Sequence, residues 1–372
     1  MLDEFKQAYD NRYQAIEEEK KQGRKAIGWV CTYVPEEILY AAGMNPVRIL
    51  GSEGETPLAD AHMYSNLCTF VRSALQMGLE GKYSFLDGYV TCNTCDHIRR
   101  LFDVWSHYIN TSFTHIISLP HKITDASQKY FQTELIRLKE ELEKITSKRI
   151  TEDSLKQAIN IYNQSRVRLQ KLDELRKREA PPITGAEALD VALAGMVMPR
   201  ERYNQMLEKL LADLANRQGI GQGIDGDRLR IMIAGSELDH SEYIKVIEDL
   251  GAIVVAEDIC CASRYIGDPV LTDGNPMEAL ANRYLTKAQC PRMRPPTERH
   301  ARIRNTLKEY KIDGIIYQVI KFCNLIGEDY PILRNAIKDL DIPILVLNRE
   351  YSVAGLGQMK TRVQAFFESL RG

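Results

Sequence analysis

Short apolar segments alternate with longer amphipathic ones along most of the chain. Residues 86–91 and 312–319 are brief, apolar and rich in β-branched or aromatic side chains, which predicts buried strands. Residues 96–107 instead place Ile98, Leu101 and Trp105 on one face, which predicts a helix. Repeated strand–helix alternation of this kind is typical of parallel sheets covered by helices on both faces.

The alternation occurs in two blocks, residues 1–121 and 219–372, and the stretch between them, 122–218, has a purely helical pattern of leucines and charges. We therefore predict an α/β protein with two doubly wound, mostly parallel-sheet domains of the flavodoxin/Rossmann-like type and a helical segment between them. A glycine-rich run at 219–226 predicts a linker.

Three local patterns complete the prediction of elements. The charged, periodic stretch 4–22 predicts a helix that faces solvent. In the C-terminal block, residues 330–340 predict a helix and 342–347 the strand after it.

Composition narrows the class of protein. The 372 residues carry 49 basic and 51 acidic side chains, a formal net charge of −2, and so lack the basic excess of nucleic-acid-binding proteins. No apolar run approaches the ~20 residues that cross a bilayer, and the first residues lack the core of a signal peptide. We expect a cytoplasmic protein that binds neither nucleic acid nor membrane.

The chain has eight cysteines, at positions 31, 68, 92, 95, 260, 261, 290 and 323. Structural disulfides are disfavoured in a reducing cytoplasm, so three interpretations stay open: small buried hydrophobes, a zinc site, or an iron–sulfur cluster. The single Cys-x-x-Cys, Cys92 to Cys95, falls between a strand and a helix, where open α/β sheets bind ligands. Without a second such pair it is a weak zinc signal.

The two α/β blocks contain similar segments at corresponding positions. Leu-Asp-Gly-Tyr-Val at 86–90 and Ile-Asp-Gly-Ile-Ile at 312–316 each begin a strand that leads to a cysteine, Cys95 or Cys323. If the two sheets face each other, both cysteines lie in one cleft between the domains. Scattered sulfur ligands in such a cleft favour a cluster over zinc.

Four blocks in chain order carry a resemblance to a known family. They are Gly-Trp-Val-Cys-Thr-Tyr-Val-Pro-Glu-Glu within 28–48, Tyr-Ser-Asn-Leu-Cys-Thr-Phe-Val-Arg-Ser at 64–73, Cys-Asp-His-Ile-Arg-Arg-Leu at 95–101 and Tyr-Gln-Val-Ile-Lys-Phe-Cys at 317–323. In these blocks the chain resembles the benzoyl-CoA reductase/2-hydroxyacyl-CoA dehydratase family over nearly its whole length.

The resemblance implies a [4Fe–4S] cluster held by Cys68, Cys95 and Cys323, with the fourth iron position facing the substrate. Cys31 and Cys92 are extra cysteines beside these ligands, and a double-cubane [8Fe–9S] cluster, which some relatives carry, needs more thiolates; buried or supporting roles are the alternative for both. Three further cysteines match no motif and are predicted to be structural: Cys260, Cys261 and Cys290.

Glu36 and Glu37 lie in a segment that the resemblance places near the active site, which makes them candidates for proton transfer. The simpler interpretation is that they stabilise the positive end of a helix dipole.

The resemblance also implies a function: the iron–sulfur subunit of an ATP-dependent benzoyl-CoA reductase, which reduces the aromatic ring of its acyl-CoA one electron at a time at low potential. Its partners would be a homologous cluster-bearing subunit and a separate ATP-hydrolysing iron–sulfur activator. The chain has no phosphate loop of its own, in agreement with ATP use elsewhere. Two alternatives stay open: a 2-hydroxyacyl-CoA dehydratase subunit working through a ketyl radical, and a non-catalytic electron-transfer protein with a double cubane.

Overall fold

The computed structural model describes residues 1–217, 219, 228–351 and 355–372. Apart from Gly219, the predicted linker at 219–226 lies outside the described residues. The strands are β1 (Ala26–Trp29), β2 (Asn45–Arg48), β3 (Gly88–Cys92), β4 (Phe113–Ile117), β5 (Leu229–Gly235), β6 (Ala252–Asp258), β7 (Gly314–Ile320) and β8 (Ile344–Arg349). The helices are α1 (Leu2–Asp10), α2 (Arg12–Lys21), α3 (Glu36–Ala41), α4 (Pro57–Asp60), α5 (Thr69–Leu79), α6 (Asp96–Tyr108), α7 (Asp125–Thr146), α8 (Glu152–Arg176), α9 (Gly185–Ala194), α10 (Arg200–Asn216), α11 (Ser241–Glu248), α12 (Ser263–Ile266), α13 (Pro276–Thr286), α14 (Thr297–Glu309), α15 (Asn324–Ile337) and α16 (Leu356–Arg371).

Each α/β block forms a four-stranded sheet. The first has the order β2-β1-β3-β4 and the second β6-β5-β7-β8, and all pairings between neighbours are parallel. Strands β1, β2 and β3 are buried along their whole length, as expected when helices cover both faces of a sheet. The predicted α/β class with two doubly wound parallel-sheet units is confirmed.

A glycine at the end of β5 allows the backbones of β5 and β7 to approach each other closely at the carboxyl edge of the second sheet. Gly235, the last residue of β5, has φ +121°, and a Cβ there would lie 2.0 Å from the carbonyl oxygen of Gln318. Only glycine fits both the backbone angle and the approach of β7. The carboxyl ends of β5 and β7 therefore lie close together, where Ser236 Oγ accepts the Ile320 N–H at 3.0 Å.

The helices α7 to α10 form a layer, and the N-terminal helix α1 packs against it. Phe5 on α1 is fully buried in a cluster with Tyr203 and Leu207 of α10. The expected solvent-facing helix over 4–22 is therefore wrong in two respects: it is divided at Asn11, and it buries apolar side chains against the helical layer. No helix in the described ranges is both long and apolar enough to cross a bilayer.

Helix α15 starts earlier than the sequence pattern predicts. It begins at Asn324, not at residue 330, and Pro331 lies inside it. Proline usually marks a helix start or a break because it lacks an N–H group. The consequence is that Cys323 stands directly at the N-terminus of a 14-residue helix.

The capping box of α9 provides a test of local stability. The Thr184 hydroxyl accepts the Glu187 N–H at 3.1 Å, and the Glu187 carboxylate accepts the Thr184 N–H at 2.8 Å. We expect Thr184→Ala to lower the free energy of unfolding by about 0.5–2 kcal/mol in urea titrations. Thr184→Ser keeps the hydroxyl and is expected to retain most of that stability; equal losses in both variants would show that the cap is not the cause.

Candidate functional site

A cavity of about 110 Å³ lies where the two sheets face each other, and both sheets contribute cysteines to its wall. Six of the eight cysteines line it: Cys31, Cys68, Cys95, Cys260, Cys290 and Cys323. Cys95 and Cys323 both belong to this set, and the similar strand starts in the two blocks predict them in one cleft. The remaining lining includes apolar side chains such as Phe70, Val71 and Ile98.

Three of these cysteines share one structural position. Cys68 is the N-cap of α5, Cys95 of α6 and Cys323 of α15. The first N–H groups of a helix have no partner within the helix and carry partial positive charge. Three helix N-termini thus surround one cavity, an arrangement that stabilises thiolate sulfur.

Burial and the helix N-termini act in opposite directions on the thiols of these three residues. Burial raises the pKa of Cys68 and Cys323 and raises that of Cys95 to about 12. Backbone N–H groups three residues further on, at Val71, Ile98 and Ile326, act in the opposite direction. A metal that binds here must displace the protons, so uptake would release them to solvent.

Cys31 occupies a different environment on the opposite side of the cavity. Its backbone is left-handed, with φ 80°, and the Thr94 hydroxyl donates to its sulfur at 3.4 Å. Hydrogen bonds, first from the Cys92 thiol and then from Thr94, lower the pKa of Cys31 to about 6 against the opposing effect of burial, and the charge of Lys287 adds to this. The left-handed turn therefore places in the cavity wall a thiol whose pKa is lowered.

The set of cysteines that line the cavity differs from the set that the sequence predicts. Cys92, a candidate extra ligand, is fully buried and does not line the cavity; it hydrogen-bonds Cys31 instead. Cys260 and Cys290, expected to be structural, do line it, and the Arg264 guanidinium lies 3.8 Å from the Cys260 sulfur. Cys261 points elsewhere and donates to Glu237 at 2.9 Å.

The cavity wall provides sulfur as its main donor type. Its six cysteines come from both α/β units, and three of them are helix N-caps. Thiolate sulfur is the donor type that iron–sulfur clusters take and that zinc also accepts. Within the described ranges, no group of three or more His, Cys, Asp or Glu side chains is arranged to hold a single metal ion.

An open groove of about 630 Å³ shares Ile320 and Cys323 with the wall of the cavity. Cys323 lines both, and the exposed ring of Phe322 stands beside it in the groove wall. Phe322 has φ 67°, a left-handed conformation that is costly for an aromatic residue. The turn between β7 and α15 thus holds Cys323 between the buried cavity and the surface.

Glu36 and Glu37 do not line the cysteine cavity. Glu36 is paired with Arg200 of α10 at 2.8 Å, and Glu37 accepts hydrogen bonds from Arg166 of α8 and, at 2.8 Å, from the Tyr284 hydroxyl. Both carboxylates are almost completely shielded from solvent. They connect the first α/β unit to the helical layer, a role that their position at a helix start does not reveal.

The fold and the cysteine-lined cavity define the class of protein: a paired α/β scaffold with six cysteine side chains in the cleft between its two sheets. Comparison with protein families adds a family to this description. Residues 31–370 match the family model described as 2-hydroxyglutaryl-CoA dehydratase, D-component. The chain belongs to this family, which contains acyl-CoA dehydratase and benzoyl-CoA reductase components, as the sequence blocks predict.

Curated relatives extend over nearly the whole chain. A benzoyl-CoA reductase subunit of Thauera aromatica is 28% identical over 361 residues, 95% of this chain and 92% of that relative. The (R)-phenyllactyl-CoA dehydratase beta subunit of Clostridium sporogenes is 26% identical over 99% of this chain and 98% of its own. The beta subunit of (R)-2-hydroxyglutaryl-CoA dehydratase from Acidaminococcus fermentans is 27% identical over 100% and 99%. Reductase and dehydratase subunits are therefore similarly close to this chain.

Proposed function

We propose that this protein is the iron–sulfur subunit of an ATP-coupled, one-electron acyl-CoA reductase that acts on benzoyl-CoA. The observation that carries the proposal is the placement of Cys68, Cys95 and Cys323 at three helix N-termini around one cavity. These three thiolates would hold a [4Fe–4S] cluster. Such a cluster, when bound, supplies single electrons at low potential.

The chain's own contribution is to bury this centre and to keep one side of it accessible. The apolar side chains around Cys68 and Cys95 lower the local polarity, which strengthens electrostatic interactions within the cavity. We propose that an acyl thioester approaches from the surface through the groove beside Cys323, which has a volume of about 630 Å³. A substrate there would be within reach of the cluster without opening the fold.

The proposal includes partners that the isolated chain does not supply. Relatives from Thauera aromatica and Acidaminococcus fermentans are named as subunits, which supports a hetero-oligomer with a homologous cluster-bearing subunit. The sequence has no phosphate loop. We therefore propose that a separate ATP-hydrolysing iron–sulfur activator delivers the electrons and that the acyl-CoA binds between the paired subunits.

A dehydratase subunit is the alternative within the same family. It would use the same three cysteines and the same groove, with a 2-hydroxyacyl-CoA as substrate. The relatives named as dehydratase subunits support it as strongly as the reductase relative supports the first proposal.

A second candidate function follows from the additional cysteines. Cys31, Cys260 and Cys290 line the same cavity as the first three, so six thiols are available at one site. Six sulfur ligands suit a double-cubane [8Fe–9S] cluster better than a single cubane. This observation favours an electron-transfer protein without its own acyl-CoA substrate as the competing proposal.

Metal content separates these proposals at the first step. We expect the protein purified without oxygen to contain iron and acid-labile sulfide in equal amounts and no stoichiometric zinc. About four irons per chain is the expectation for one cubane and about eight for a double cubane. Replacing Cys260 and Cys290 together with serine leaves the first value unchanged and lowers the second. A colourless zinc protein contradicts both proposals.

Product analysis then decides between the two acyl-CoA reactions. The protein is combined with its partner subunit, the activator and ATP, and supplied with benzoyl-CoA or with a 2-hydroxyacyl-CoA. We expect ring-reduced product from benzoyl-CoA. Dehydration without ring reduction would establish the alternative, and no turnover of either by an iron-loaded complex would favour the electron carrier.

A further inference from the structure

Arg48 is a buried cation whose hydrogen-bonding capacity is only partly used. It ends β2, its side chain is 1% exposed, and it lines the cysteine cavity. Its Nη2 donates to Glu237 Oε1 at 2.5 Å. Its Nε and Nη1 have no partner among the described residues.

Unused donors on a buried charged group are costly. A buried donor left without a partner has lost its hydrogen bonds to water without replacing them, and the loss is larger when the donor is charged. The surroundings of Arg48 do not offer a substitute, since the guanidinium packs 4.9 Å from the centre of the Trp29 ring and its charge partner Glu237 is already engaged through another nitrogen. Since Arg48 contributes to the cavity wall, a group bound in the cavity can supply the missing acceptor.

The neighbouring cations, by contrast, direct most of their donors to oxygen atoms of the protein. Arg264 directs Nε and Nη2 to the Asp258 carboxylate and backbone at 2.7–2.8 Å, and its Nη1 reaches the carbonyl of Gly235. Lys287 donates to Thr32 Oγ1 at 3.0 Å and to the carbonyl of Arg264 at 2.7 Å. Of the two arginines that line the cavity in the described part of the chain, Arg48 is therefore the one with nitrogen atoms that have no hydrogen-bond partner.

We infer that Arg48 donates hydrogen bonds from Nε and Nη1 to sulfur of the iron–sulfur group held in this cavity and thereby raises its reduction potential. The inference rests on the proposed function, since it requires a cluster at the cysteines. Reduction adds negative charge, and a cation with two donors stabilises the reduced state more than the oxidised one. Arg48 and Glu237 come from different sheets, so the pair also fixes the donors relative to both.

The test is an anaerobic redox titration of the full-length chain, followed by the EPR signal of the reduced cluster, after iron content has been measured. We expect Arg48→Gln to retain iron and to lower the equilibrium constant for one-electron reduction at least tenfold, which is about 59 mV. Arg48→Lys keeps the charge and the pair with Glu237 but loses the planar donors. It is expected to shift the potential in the same direction by less, and it remains informative if Arg48→Gln does not fold.

Arg176→Gln is the matched control. Arg176 is also buried, is paired with a glutamate (Glu257) and leaves its Nε without a partner, but it does not line the cavity. We expect it to lose stability and to keep the wild-type potential. Iron-loaded Arg48 variants with an unchanged potential, or an equal shift in Arg176→Gln, would overturn the role of Arg48 alone. A wild-type protein without iron would instead overturn the proposed function on which the inference rests.

Discussion

Replacing Cys68, Cys95 or Cys323 with alanine is expected to remove most of the iron from protein purified without oxygen. In the proposed site each of these residues supplies one of three protein ligands at a helix N-terminus, whereas the other cavity thiols, Cys31, Cys260 and Cys290, are not helix N-caps. Two of the three ligands hold a cubane poorly against chelators and oxygen. The measurement is iron and sulfide per chain, with the visible absorbance of the cluster as a second readout.

Cys261→Ala is the matched control for these variants. Cys261 is fully buried, more so than the three proposed ligand cysteines, lies outside the cavity wall and donates to Glu237. It is expected to keep the wild-type iron content while losing a comparable small amount of core packing. If all four variants retain iron, the ligand assignment fails; if all four lose it, the effect is one of folding and not of ligation.

The architecture follows from the sequence because its signals are local. Strand-length apolar runs and helix starts such as Pro35-Glu36-Glu37 lie within a few residues of the elements that they define. Parallel pairing then follows from strand–helix alternation, as the two sheets show. The start of α15 could not be placed in this way because Pro331 usually marks a boundary, whereas here the helix continues through it.

The site could be predicted only in part because its remaining residues meet through tertiary structure. Cys260 and Cys290 belong to no motif, yet Cys260 follows the carboxyl end of β6, the edge at which parallel sheets bind ligands. That rule alone would have made Cys260 a candidate. Nothing local distinguishes Arg48, Arg166 or Arg200, since their partners are more than a hundred residues away in the chain.

The buried carboxylate of Glu37 leads to the second large effect. Glu37→Gln leaves Arg166 in the interior without its full charge partner, and breaking a buried pair of this kind typically costs about 3–5 kcal/mol. We expect a loss of that order in the free energy of unfolding measured by urea titration. The double variant Glu37→Leu with Arg166→Met removes both charges and is expected to recover most of the stability. Glu208→Gln, which disrupts a surface pair between α8 and α10, is the control and should change stability by less than about 1 kcal/mol.

The same pair gives the pH dependence a definite sign. Burial alone would raise the pKa of Glu37, but Arg166 and Arg283 outweigh it and hold the pKa below its ordinary value of 4.5. A carboxyl whose pKa is lower in the folded state stabilises the protein above that value and loses this contribution as the pH falls through the folded pKa. The double variant should therefore lose less stability on acidification than the wild type.

These measurements also distinguish the two interpretations of Glu37. As a structural connection to α8, Glu37 affects stability, and the double variant with a restored fold keeps its iron and its turnover with partner, activator and substrate. As a proton donor or acceptor, it would be required for turnover even where stability is recovered. Its pairing with Arg166 and Tyr284, outside the wall of the cysteine cavity, leads us to expect the first result. A stable, iron-loaded double variant without activity would contradict it, because turnover would then require the buried pair even though fold and iron content are kept.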